Sequence, residues 1–140
     1  MLKWLRNLKK GRDIMNKKSI FTLIFLAMLM LLISCSNTVE SNINIVINDY
    51  EKNVLFDEEI KTEKTKLIDV LEELDIDLEY EDGQYGAYIT SIKGVEQKED
   101  DNGVYYWSYY VDDTYATNGV SACNIEDGKK YTFNYEYFEK

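Results

Sequence analysis

An α+β domain, a small mixed β-sheet covered by one helix, is the fold class that the sequence predicts. Three observations carry it. Ile43, Ile45 and Ile47 alternate with Asn42, Asn44 and Asn48, the period of a strand with one buried face. Tyr131, Phe133, Tyr135 and Tyr137 alternate in the same way with Thr132, Asn134 and Glu136. Between these two stretches, Leu67, Ile68, Val70, Leu71 and Leu74 recur at steps of three and four, an apolar stripe of about three helical turns.

The chain begins with a region of different character. Residues 1–14 read as an upstream extension, with Met15 an alternative start. Residues 15–34 read as a lipoprotein signal: Lys17 and Lys18 precede the uncharged run Ile20–Ile33. About 14 apolar residues are short for a bilayer-spanning helix but fit the apolar region of a secretory signal. Leu32–Cys35 resembles a bacterial lipobox, which makes Cys35 the expected lipidation site and the membrane the expected partner. The alternative is an uncleaved anchor with an incidental cysteine. Residues 35–41 form a lipidated linker, and residues 42–140 form the domain. The six residues Ser36–Ser41 reach only about 20 Å when extended. The expected location is therefore the extracytoplasmic face of the cell membrane.

Charge divides at the same place. Position 35 onward carries 9 basic and 25 acidic residues, a formal charge of −16. That surplus argues against nucleic acid, whose phosphates are neutralised by Lys and Arg. Cys35 is claimed by the lipobox, so Cys123 has no partner for an internal disulfide. It is expected to be a small buried hydrophobe, with a reactive thiol as the alternative.

The elements follow in order. Asp49–Asn53 is a turn into a second strand, Val54 toward Ile60, completing a hairpin. Thr65 is placed as the helix N-cap, its hydroxyl accepting from a free backbone N–H. Glu79–Gly86 reads as an acidic loop, Ala87–Ile92 as a strand, and Gln97–Gly103 as a charged reversal. Asn102 and Gly103 suit a hairpin turn because both tolerate positive φ. Val104–Val111 is the longest aromatic strand and is expected to be central. Its Tyr105, Trp107, Tyr109 and Val111 face one way, and Tyr106, Ser108 and Tyr110 the other. Glu126–Gly128 is a further turn.

Catalysis is hard to build from these residues. The chain has no histidine, which excludes Ser-His and Cys-His nucleophiles and His-rich metal sites. Its acids fall mostly in turns and on polar faces. No glycine-rich phosphate loop follows a strand. An enzyme is not expected, and neither is a resident cofactor or metal. The run Glu99–Gly103 offers oxygen ligands to calcium but lacks the spacing of an EF-hand. What remains is Trp107 and Tyr109 on one face, beside the small residues of Ala116–Val120. Rigid aromatics next to such a loop suit a planar or amphipathic ligand. The alternative packs both rings under the helix.

The order of motifs resembles a known family. Thr65–Leu71, Gly86–Gly94, Tyr106-Trp107, Asn118–Val120 and the closing strand after Asp127-Gly128 resemble the DUF4430 domain family over about Ile43–Phe138. That family is similar to the small C-terminal domain of the transcobalamin and intrinsic factor vitamin B12 carriers. The resemblance implies a transcobalamin C-terminal-domain-like, β-grasp-like arrangement and a possible cobalamin ligand. It implies Tyr88 and Thr90 on a strand beside the ligand, Trp107 at the carriers' Tyr/Phe-Trp position, and Thr117, Asn118 and Gly119 in the loop that meets it; Tyr109 joins Trp107 through the strand period alone. Two departures stand out: the carriers' large helical partner domain is missing, and Ala116-Thr117 replaces their Pro-Leu. Two functions follow as expectations. One is a surface lipoprotein that captures a corrinoid or similar small molecule for a membrane transporter. The other is a non-enzymatic cell-surface module that contacts a protein or the cell wall, with no small ligand.

Overall fold

The computed structural model describes residues 39–140. The readings for residues 1–38, the signal and Cys35 among them, lie outside these. Nine strands, one helix and a single 3-10 turn make up the described region. Strand β1 (Ser41–Asn48) pairs antiparallel with β2 (Val54–Thr62), as the hairpin reading expects. On its other side β1 runs parallel to β9 (Lys130–Glu139), with Ile47 opposite Phe133. Strand β9 in turn pairs antiparallel with β7 (Gly103–Val111) over nine positions. The short β6 (Lys98–Glu99) and β8 (Thr114–Tyr115) each cover one end of the far edge of β7. The aromatic strand is thus next to central; β9 occupies the middle.

A second sheet of three strands was not expected. It consists of β3 (Glu79–Gly83), β4 (Gly86–Ile92) and β5 (Val95–Glu96). Strand β3 occupies the stretch read as an acidic loop. All five of its residues are exposed, so it carries no apolar alternation to betray it. The described region is sheet-dominated with one helix, more β than the α+β expectation.

The core is where the periodicities placed it. Ile43, Ile45, Ile47, Tyr131 and Phe133 are almost wholly buried, as are Leu67, Val70, Leu71 and Ile76. Helix α1 (Leu67–Leu71), however, has five residues rather than three turns. Glu73 and Leu74 turn back onto Val70 and Leu71 with tighter, three-residue hydrogen bonds, so the stripe continues as turns and not as helix. Thr65 is not the N-cap. Lys66 holds that position without a side-chain cap, and backbone bonds fix the helix start instead: Leu67 N–H donates to the Cys123 carbonyl, and Ile125 N–H to that of Thr65.

The Glu99–Gly103 segment is a hairpin reversal. Its Asp100 Oδ1 accepts from the N–H groups of Asn102 and Gly103, at 2.9 Å each. Neither Asn102 nor Gly103 has positive φ. Glycine is needed at 103 for another reason: a Cβ there would lie 2.3 Å from the Phe138 carbonyl oxygen. Among the described residues no group of three or more His, Cys, Asp or Glu could hold a metal ion.

Candidate functional site

The extended segment Val95–Glu99 pairs first with β4 and then with β7, so the two sheets fork from it. Two aromatic side chains fasten the apex of this fork. The Trp107 indole N–H donates to the Val95 carbonyl at 2.8 Å, and the Tyr135 hydroxyl to that of Glu96 at 2.6 Å. Their rings lie 5.2 Å apart, centroid to centroid. Trp107 is only 7% exposed. It is therefore a structural peg whose edge borders the fork, not an open platform.

Inside the fork is a pocket of about 200 Å³. One wall is Ala87, Tyr88 and Ile89 of β4; the other is Tyr106–Tyr109 of β7, with Phe133 behind. Tyr115, Gly119 and Val120 close the remaining side. Four of the seven expected site residues, Tyr88, Trp107, Tyr109 and Gly119, thus meet around one cavity. Thr90, Thr117 and Asn118 do not line it. Thr90 instead accepts from the Gln97 N–H through its carbonyl. Asn118 accepts from the Tyr109 hydroxyl at 3.1 Å and so ties the loop to the aromatic strand. Ile89, Tyr106, Tyr115 and Val120 were missed because sequence spacing says nothing about which loop lands on which strand.

The loop is seated by close backbone approach. Gly119 N–H donates to the Tyr85 carbonyl at 2.8 Å, and Ser121 Oγ accepts from Ala87 N–H at 2.8 Å. A 3-10 turn, Val120–Ala122, then carries the chain to buried Cys123. Burial pushes the Cys123 thiol above its ordinary pKa, the direction of an unreactive thiol.

On the opposite face of β7 the chemistry is polar. Glu136 accepts from Ser108 Oγ at 2.7 Å and from the Tyr110 hydroxyl at 3.1 Å, and Lys52 Nζ lies 3.3 Å from it. A wider depression of about 620 Å³ lies elsewhere, between β2 and the turn after α1, edged by Asp57, Glu73, Asp75 and Lys93. Two of its carboxylates are already engaged, Glu73 by Lys64 at 2.8 Å and Asp57 by the Asn44 side-chain amide at 3.0 Å.

The profile described as Domain of unknown function (DUF4430) matches residues 64–137, more than half of the chain. The chain belongs to the DUF4430 family. Among the solved structures that share the fold of this DUF4430 domain are two of note. One is a candidate metal binding protein from Ruminococcus gnavus ATCC 29149, at 18% identity and a TM-score of 0.61, covering 72% of this chain and 99% of that one. The other is haptocorrin in complex with Cbi, at 15% identity and a TM-score of 0.59, covering 76% of this chain. The domain spans 28% of the haptocorrin chain. No curated protein matches the sequence. The family and the fold likeness expected from the motifs are both found.

Burial gives this DUF4430 domain a pH dependence. Tyr109, Tyr131 and Tyr135 all have their phenol pKa raised, chiefly because burial disfavours the phenolate. The folded state then holds protons that the unfolded chain releases near pH 10. Their contribution to stability is complete below about pH 10 and falls as pH rises beyond it. Thermal melts should show a steady loss of Tm above that point. Three tyrosines titrating normally in the folded protein, followed by phenolate absorbance, would contradict it.

Proposed function

We propose that this DUF4430 domain is a non-enzymatic binding module, held on the outer face of the cell membrane by a lipid on Cys35. Its ligand is a corrinoid or a similarly flat, amphipathic small molecule, delivered to a membrane transporter. The fork pocket is the observation that carries the reading. It is walled mainly by aromatic and aliphatic side chains, with a few polar groups at its edge, which is the usual make-up of a small-molecule site. The fold shared with haptocorrin, seen there in complex with Cbi, supports the corrinoid as first candidate. A cavity of about 200 Å³ admits only one edge of so large a ligand. A second protein surface therefore completes the site.

Equilibrium dialysis of the full chain in detergent against cobalamin and cobinamide tests this directly. Retention at micromolar ligand is the expected result. No retention of either at high micromolar concentration would remove the corrinoid from consideration. For the anchor, a Cys35→Ala chain should be released from cells into the medium. If it stays in the membrane fraction, the lipid is not what holds it.

A further inference from the structure

We infer that the fork takes a second class of ligand besides the flat one proposed above: an extended peptide of about three residues that adds to the open edge of β7, with an apolar side chain at its centre and Lys or Arg beside it. The inference rests on the fork being a binding site and concerns the chemistry of its occupant.

The backbone directions of β7 are fixed by its ends. Asn102 carbonyl accepts from Lys140 N–H and Asp112 N–H donates to Lys130 carbonyl, so even-numbered residues turn their backbone groups toward β9. Odd-numbered residues point the other way: Gly103 carbonyl accepts from Asp100 N–H, and Tyr109 carbonyl from Ala116 N–H. On that outer edge β6 covers Val104 and Tyr105, and β8 covers Tyr110 and Val111. Among the described residues no strand pairs with Tyr106, Trp107 or Ser108 on this side. Trp107 therefore directs its own N–H and C=O into the gap. The pocket touches all of Tyr106–Tyr109, residues from both faces of the strand, which places it along this edge.

A peptide backbone offers the matching donor and acceptor, and a residue opposite Trp107 would exchange two hydrogen bonds with it. Residues paired across strands share a face. The central side chain would therefore enter the inner part of the pocket, among Ile89, Tyr109, Val120 and Phe133. A space of about 200 Å³ suits a leucine-sized group. The flanking side chains would project on the other face, beside Tyr106, Ser108 and Tyr115. No Lys or Arg lines the pocket, and the chain from position 35 carries 25 acids against 9 bases. Cationic flanks complement that field.

The test uses blocked, fluorescently labelled tripeptides and the full chain in detergent, read by anisotropy. A lysine–leucine–lysine peptide should bind. Methylating its leucine amide nitrogen, or replacing leucine with glycine, should each weaken binding at least tenfold, with the protein untouched. Equal binding of the methylated peptide would overturn the edge pairing. If the peptides fail while cobalamin or cobinamide is retained, the fork is a ligand site but not a strand-adding one. If all fail, the binding-module reading falls with it.

Discussion

A Phe133→Ala chain should lose about 3–5 kcal/mol of stability, the usual cost of emptying a core aromatic position. Phe133 is fully buried in the central strand, opposite Ile47 of β1 and Tyr109 of β7. Its ring stacks on Tyr109 with centroids 5.7 Å apart. Removing it leaves a void that joins the fork pocket, so collapse on one side exposes apolar surface on the other. For a domain of this size each kcal/mol shifts Tm by about 4–8 °C. Thermal melts should therefore show a fall of well over ten degrees, with Phe133→Leu in between. A shift of only a few degrees would mean that Phe133 is not the centre of the core.

The second expectation concerns Gly119→Ala. A Cβ at this position would lie 2.4 Å from both the Ala87 carbonyl oxygen and the Gly86 carbonyl carbon. These are backbone atoms of β4 and cannot rotate away. The loop must lift from the strand, at a cost of about 1–3 kcal/mol. The pocket loses a wall at the same time, so ligand retention should drop by at least about tenfold, a difference near 1.4 kcal/mol. Gly128→Ala supplies the contrast. It has φ +76° with nothing within 4 Å of the new Cβ, so it strains the backbone while leaving the fork intact. Loss of stability with unchanged binding is expected there. Should Gly119→Ala bind ligand like the parent, the fork is not the binding site.

These two residues show what the sequence can and cannot reveal. Phe133 was legible, because the alternation of Tyr131, Phe133 and Tyr135 against polar neighbours marks a buried face, and all three are buried. The same holds for Ile43, Ile45 and Ile47. What the alternation does not encode is partnership. Nothing in either stretch says that β1 lies parallel to β9, since a strand reads alike whichever way its neighbour runs. Helix α1 was overextended because Leu74 continues the apolar stripe from a turn, where packing and not helical geometry brings it to the core. Strand β3 was missed because Tyr80 among acids, exposed on every residue, looks like a loop. In the fork, Trp107 and Tyr109 stood out by their aromaticity. Whether they lie exposed or packed was left open by the pattern; both are buried, and the indole has a hydrogen-bond partner, the Val95 carbonyl, that only the fold supplies. Gly119 was flagged as a small loop residue, and the reason it must be small is a contact with a strand over thirty positions earlier.

The adjacency of β1 and β9 has a temporal consequence. The first strand of the domain finds its central partner only after nearly all of the intervening chain has emerged. Contacts between such distant segments close slowly, because the loop must be ordered before they reward it. A nascent chain halted before Lys130 would hold Ile45 and Ile47 without the neighbour that covers them. Folding of this domain can therefore finish only once β9 has been made, and until then the isoleucine face of the β1–β2 hairpin is open to association with other chains.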